Sequence, residues 1–429
     1  MSGGRRGAAR VRRAGMVGLA ALALLATGTA CSGGDSGGDG TVTIRYTWWG
    51  NADRAELVQQ AIDLFEERNP NIDVQPSFSE FEAYWQKLAT ESAGGGEPDV
   101  IQMDMAYLRE YADKGVLLDL SQGEAAENLN TDDFRGGLAD AGRIDGALYG
   151  VPVGGNVFSL IYNPAVFEQA GAPMPEVGWT WEQYWEAFER IDAETDIKGG
   201  SGYAGVFYAL EMQLRQQGAA LFTEDGELGF TREQLADFLQ QEVDLREDGL
   251  TVDPQRATEL KPVSPIGGDI SASEFTWDNF LTRYAGETTT ELALGPVPTF
   301  DPASTGQYLK ASQLMSVSAR SEHPAEAAML IDFMVNDPEV AKIIGANRGM
   351  PPTNAQLEAV EFEGVDAMVA EYEERMAEFL APAPPAPPAG AGTIEASLLR
   401  IGEDLSYGEI TVDEAVDQFF TEAEDTLAG

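Results

Sequence analysis

The 429-residue chain holds one cysteine, Cys31, and one histidine, His323. A sole cysteine cannot close an internal disulfide, and a Cys/His metal site needs several such ligands, so both are excluded. His323 stands in Ser-Glu-His-Pro, a helix-entry context, which leaves little for a Ser–His–Asp arrangement to be built on. There is no G-x-x-x-x-G-K-[ST] loop, so ATP is not hydrolysed through one, and nothing calls for a cofactor. No D-x-D-x-D-G loop occurs either, although a calcium site made of oxygens alone stays open in so acidic a chain. Basic residues are scarce: 27 Lys and Arg face 72 Asp and Glu, for a formal charge of −45 and a pI near 4.1. That balance excludes nucleic acid as a partner and disfavours an anionic surface or a strongly anionic ligand. With so many acids, the presence of carboxylate pairs says nothing for or against glycoside hydrolysis.

Long apolar runs are also missing. Met16–Ala26 is too short to be a comfortable permanent membrane helix. It follows a basic stretch (Arg5, Arg6, Arg10, Arg12, Arg13) and leads to Gly28-Thr29-Ala30-Cys31, the pattern of a cleavable signal peptide over residues 1–30. Cys31 at its end fits lipid attachment after cleavage, as in a bacterial lipoprotein, although Gly28 stands where Leu is usual. An ordinary signal peptide with an incidental cysteine is the alternative. The arginine pairs leave Sec and twin-arginine export both open. Residues 31–40 form a Gly/Ser/Asp tether with no core-forming side chains.

The remaining length exceeds what one core usually serves, so two domains are expected. Val42–Tyr46 alternates like a strand and delivers Trp48-Trp49-Gly50-Asn51. A helix burying Leu57, Val58, Ala61, Ile62 and Phe65 follows, then a strand at Ile72–Val74, a helix through Tyr84, Trp85 and Leu88, and a strand at Pro98–Asp104. Strands alternating with helices predict a parallel or mixed α/β sheet, in which ligands bind beyond the carboxyl ends of strands. Trp48, Trp49, Asp104 and Tyr107 lie just beyond such ends. Farther on, Thr180 with Gln183, Thr231 with Gln234 and Thr411 with Glu414 predict helix starts through capping boxes. Ala381–Ala389, APAPPAPPA, reads as a polyproline-like spacer.

The stretch Asp145–Asn163, DGALYGVPVGGNVFSLIYN, runs from a turn through Pro152 and Gly154-Gly155 into an apolar strand. It reads either as a passage between two layered units or as a central strand entered through a loop. Its order, dGxxYgvP…LxYN, resembles the crossover segment of extracellular solute-binding proteins of ABC importers, in the carbohydrate-binding branch that includes maltose-binding protein. Phe65–Val74, Ala83–Leu88, Gly95–Val100 and Tyr111–Leu120 resemble that family's FexxnPxIxV, dywqkL, GxxPDV and yaxxGxLxdL wording, in the same order and spacing. The resemblance implies a two-lobed α/β fold of the Venus-flytrap kind, each lobe a mixed sheet flanked by helices and joined by several crossovers. It places the first lobe at 41–152 and 298–335 and the second at 153–297 and 336–429. It implies a monomeric receptor with no catalytic residues, held to the outer face of the membrane by lipid. Its partners would be a small carbohydrate and the transmembrane subunits of a permease.

Aromatic residues carry the site expectation. A sugar presents an apolar CH face and a rim of hydroxyls, and it is held by flat rings beside paired donors and acceptors. Trp48, Trp49, Tyr203, Phe207, Phe275 and Trp277 lie in loops or beside glycine, whereas Trp85 and Trp185 have helical spacing and read as core. For any one loop aromatic, a core role is equally open. The resemblance matches Asn156 and Trp277 to sugar-contacting positions and adds Asp104, Asn279 and Arg348 as polar candidates. Gly267–Phe275 departs from the family's usual wording before that Trp. If the segment is extended, Phe275, Trp277 and Asn279 share one face. A glycan-active enzyme and a sensor feeding a signalling partner are the competing functions.

Overall fold

The computed structural model describes residues 41–223 and 225–428, so the leader, Cys31 and the tether lie outside the described residues. The strands are β1 (Val42–Trp49), β2 (Ile72–Ser79), β3 (Val100–Met103), β4 (Arg143–Ile144), β5 (Ala147–Leu148) and β6 (Val151–Pro152). They continue as β7 (Gly155–Tyr162), β8 (Ser273–Trp277), β9 (Ala293–Gly295), β10 (Leu309–Ala311) and β11 (Leu314–Val317). One sheet has the order β2-β1-β3-β11-β6, with β1 parallel to both neighbours and β11 antiparallel to β3 and β6. The other is centred on β7, which pairs antiparallel with β8 on one edge and with β10 and β9 in turn along the other. The fold is therefore mixed α/β in two lobes with helices on the sheet faces.

Each sheet is buried because its strands are apolar on both sides. Ile44, Tyr46, Trp48, Val100, Met315 and Val317 meet Val58, Ile62 and Phe65 of the helix Ala52–Arg68 and Leu330 and Ile331 of the helix Pro324–Asn336. In the second lobe, Phe158 and Leu160 pack with Trp181, Tyr184 and Phe188 from the helix Trp181–Glu194. That helix and Arg232–Glu247 both start with complete capping boxes, at Thr180/Gln183 and Thr231/Gln234. Thr411 and Glu414 bond reciprocally in the same way before Val412–Ala428.

Asp145 (φ 51°) and Gly146 (φ 88°) form the left-handed turn that closes the β4–β5 hairpin. The chain then leaves the first sheet after Pro152 and enters the second at Gly155, with only Val153 and Gly154 between. A Cβ on Gly154 would lie 2.5 Å from the Arg348 carbonyl oxygen, so the crossover needs the bare backbone here. The return differs from the boundary expected at residue 298. β10 still pairs with β7, and the chain changes sheets between Ala311 and Leu314. Val335–Asp337 is not a crossing either, because Val340 of the helix Pro338–Ile344 belongs to the first lobe's core and that helix packs on Ala52–Arg68. The helix Gly364–Met376, packed on β9 and on Phe280–Glu287, is back in the second lobe. Strand pairing, not the Pro-marked segments, decides these boundaries.

Candidate functional site

A cleft lies where the ends of β3 and β10 face three helices and the proline segment. From the first lobe, Met105 and Ala106 open the helix Met105–Asp113, whose start is capped by Asp104, Oδ1 accepting from Ala106 N at 2.9 Å. From the second lobe, the helix Phe207–Gln216 presents Phe207, Tyr208, Glu211 and Arg215, and β10 with its approach presents Tyr308 and Lys310. Ala383–Pro387 and Glu395, from the helix Ala391–Ser406, complete the walls. The cavity volume is about 100 Å³, and the two lobes touch at its rim, where a Cβ on Gly392 would sit 3.5 Å from Ala106 Cβ.

Close packing sets the second-lobe wall. Gly402 lies so near the turn before Phe207 that a Cβ there would be 2.4 Å from Gly205 N. The helices bearing Tyr208 and Glu395 are thereby held side by side. Tyr208 meets Trp277 edge to face at 4.7 Å between centroids. The Lys310 ammonium stands over both rings, 5.1 Å from Trp277 and 5.6 Å from Tyr208, a cation–π arrangement. Behind it, the Tyr308 hydroxyl donates to Glu211 Oε2 at 2.9 Å, and Arg215 lies over the Tyr308 ring at 4.7 Å.

The charges of the cleft are internally balanced. Burial pushes the Glu211 carboxyl up to about 7, against the pull of Tyr308, Arg215 and Lys310. Burial also raises Glu395, with Lys310 opposing and Asp104 adding to the rise. Two carboxylates thus face Lys310 and Arg215, with Asp104 at the rim. Among the described residues no group of three or more His, Cys, Asp or Glu is placed to hold a metal.

Of the residues expected at the site, Phe207 lines the cleft, Asp104 caps the helix at its first-lobe edge, and Trp277 backs its aromatic wall. Tyr107, on the same helix as that edge and within the field of Glu395, packs on Trp85 at 4.1 Å between centroids. Asn156 lies across from Lys310 in the β7–β10 register, and its Oδ1 is buried without a hydrogen-bond partner. The others lie elsewhere. Trp48 is 1% exposed in the first lobe's core, and Trp49 packs against Phe81, Tyr84 and Trp85. Tyr203 is buried against Trp181, Phe238 and Phe275, and Phe275 sits among Phe158, Trp181, Tyr184 and Tyr203. Asn279 is exposed because β8 ends at Trp277 and Asn279 is already helical (φ −65°, ψ −16°), so the alternation stops one residue too soon. Arg348 is buried beneath the crossovers, on Gln102 and Gln313. Tyr208, Glu211, Lys310, Glu395 and the proline segment were not anticipated. The proline run is the one legible hint among them, a rigid apolar strip with few N–H groups.

A cleft between two α/β lobes, lined by rings and a few buried polar groups, suits a ligand-capturing protein. The chain matches the bacterial extracellular solute-binding protein family over residues 49–341, and it belongs to that family. It is similar to the solved extracellular solute-binding protein family 1 from Alicyclobacillus acidocaldarius: 29% identity, TM-score 0.73, 91% of this chain and 99% of that one covered. The periplasmic oligogalacturonide binding protein from Yersinia enterocolitica shares the fold at 22% identity and TM-score 0.74, covering 90% and 99%. An uncharacterized lipoprotein of Streptomyces antibioticus is 26% identical over 366 residues, 79% of this chain and 76% of the relative. Membership of this family makes the chain a solute-binding component of ABC transport and not an enzyme.

Proposed function

We propose that the protein is a lipid-anchored receptor that takes a neutral sugar or short oligosaccharide into this cleft and presents it to the transmembrane subunits of an importer. The observation that carries the reading is the wall formed by Tyr208 and Trp277 under Lys310, with Glu211 and Glu395 alongside. Rings match the CH face of a sugar, and an ammonium beside carboxyl groups supplies the donors and acceptors its hydroxyls need. Balanced charge in the cleft favours a neutral ligand over an ionic one. Asp104, Tyr107 and Asn156 would complete the contacts from the other side. The oligogalacturonide-binding neighbour supports the fold of such a receptor, and the Streptomyces lipoprotein supports the anchor read from Cys31.

The test is a thermal-shift panel of neutral mono- to tetrasaccharides, uronic acids and amino acids, with calorimetry on each hit. A ligand present at 100 times its Kd stabilises the folded state by about 2.7 kcal/mol. A neutral saccharide that raises the midpoint, with little loss of affinity from low to high salt, supports the proposal. Stabilisation by charged ligands alone would overturn it.

A further inference from the structure

Two arginines that meet no carboxylate among the described residues lie at the edge of the first lobe's core; neither lines the cleft, although Gly349 beside Arg348 abuts Asn156. Arg348 is 4% exposed, and its guanidinium reaches only amide oxygens, Gln102 Oε1 at 3.2 Å and Gln313 Oε1 at 3.4 Å. Arg54, half-buried nearby, donates to Asn347 Oδ1 and the Asn347 carbonyl at 2.9 Å each, and to the Trp49 carbonyl at 3.5 Å. Burial and the adjacent Arg348 charge lower Arg54 to about 10. In a chain of formal charge −45, two neighbouring cations without an acid between them need an explanation. A buried charge without a counter-ion is strongly disfavoured.

Three further donors on the adjoining strands β1 and β3 have no acceptor among the described residues. The Tyr46 hydroxyl, Trp48 Nε1 and Gln102 Nε2 are buried without a hydrogen-bond partner, on residues 0%, 1% and 0% exposed. The Tyr46 and Trp48 rings are 4.8 Å apart. The parallel β1–β3 register pairs Thr47 with Ile101, and one step further sets Trp48 beside Gln102 on the same face. Gln102 Oε1 is already taken by Arg348, so the cluster is rich in donors and nearly empty of acceptors.

We infer that Arg54, Arg348, Tyr46, Trp48 and Gln102 bind a small inorganic anion of the halide class. A water molecule would satisfy the donors but bring two protons of its own, and the Tyr46 oxygen is the one acceptor these side chains leave. An anion brings acceptor capacity and the missing negative charge together. Four of the five residues are nearly sealed from solvent, which excludes a sugar or any bulky acid and leaves a compact ion entering past Arg54. Arg348 belongs to the loop that ties the crossovers. Gly155 and Met350 exchange backbone hydrogen bonds at 2.9 and 3.0 Å, and Ser312 Oγ donates to the Arg348 carbonyl. The bound ion would therefore stabilise the loop on which both sheet-to-sheet passages rest.

The experiment compares thermal midpoints of the ligand-free mature protein at constant ionic strength, with sodium chloride exchanged for sodium gluconate. Chloride should raise the midpoint by about 2 °C or more, saturating with concentration. Arg348→Gln should abolish that difference, and the more exposed Arg54→Gln should weaken the chloride dependence at least about fivefold if Arg348→Gln does not fold. Crystals soaked in bromide should show an anomalous peak against the Arg348 guanidinium. Equal midpoints in the two salts, or water without bromide at that position, would overturn the inference. Neither readout involves sugar binding, so failure here is separable from failure of the proposed function.

Discussion

Phe275 and Trp277 stand two residues apart on one face of β8, and the structure assigns them opposite fates. Phe275 is enclosed by four rings at 5.2–6.3 Å, those of Tyr184, Trp181, Tyr203 and Phe158. Trp277 touches Phe158 at 5.3 Å, but its other neighbours, Tyr208 and Lys310, face the cleft. Phe275 is partly buried and packs on the second lobe's core, so Phe275→Ala should cost up to about 3 kcal/mol, toward the low end of aromatic truncations. Trp277→Ala removes less enclosed packing, about 2 kcal/mol by burial of one half-covered aromatic. It also removes the surface on which Tyr208 and Lys310 are positioned. We expect the Kd for the best saccharide to rise at least tenfold in Trp277→Ala, about 1.4 kcal/mol, and to stay within twofold in Phe275→Ala. Urea denaturation of both ligand-free variants gives the stabilities, and calorimetry on the folded fraction gives the affinities. If Trp277→Ala loses as much stability as Phe275→Ala and binds as tightly as wild type, Trp277 is core and the aromatic wall is misassigned.

Three other outcomes follow from particular groups. Glu242 is 2% exposed in the second lobe, and burial pushes its carboxyl from 4.5 up to about 7. A raised carboxyl means the native state holds its proton more tightly, so this group's contribution to stability falls as pH rises from about 4.5 to 7. Glu242→Gln should therefore stabilise the protein at pH 8 by up to about 3 kcal/mol and change nothing at pH 4, measured by urea midpoints across that range. Gly154→Ala would set a methyl 2.5 Å from the Arg348 carbonyl and 3.0 Å from Ser312 Oγ. It should cost about 1–3 kcal/mol and weaken ligand binding, and an unchanged midpoint would show that the crossover is not tight. Cys31→Ser should move the protein from the membrane fraction to the soluble fraction, and continued membrane retention would remove the lipid anchor from the proposal.

Much of the frame was legible because it is written in local chemistry. Three capping boxes, Asp145-Gly146 in its turn and the apolar periodicity before Asn69-Pro70 each act within a few residues, and each element formed where its pattern stood. The second crossing was not local. The resemblance sets the return near residue 298, but whether a strand belongs to one sheet or the other depends on its partner. β10 and β11, two residues apart, are divided between the sheets by pairing with β7 and β3. Asn279 failed for a related reason, since alternation predicts a shared face only while the backbone stays extended.

The cleft was harder to read because no single stretch carries it. Its walls come from residues near 105, 208, 310, 385 and 395, and the chain between them passes from lobe to lobe. Aromatic character alone cannot separate a ring that faces ligand from one that fills a core, since both gain by leaving water. Trp48 near a strand end and Tyr203 beside Gly202 stand where binding residues often do, yet they are 1% exposed in the cores of the two lobes. What distinguishes Tyr208 and Trp277 is the lysine above them, and Lys310 reaches that position only through the pairing of β10 with Asn156 on β7. The same logic makes the proline segment a wall. Ala381–Ala389 has the composition of a spacer, but Ala381 N donates to the Gln307 carbonyl at 2.8 Å and Arg215 donates to the Pro382 carbonyl at 2.7 Å. Those two bonds fasten an otherwise featureless strip beside Tyr308 and turn it toward the cleft. A site assembled in this way depends on register, so its residues emerge only after the two sheets have been placed.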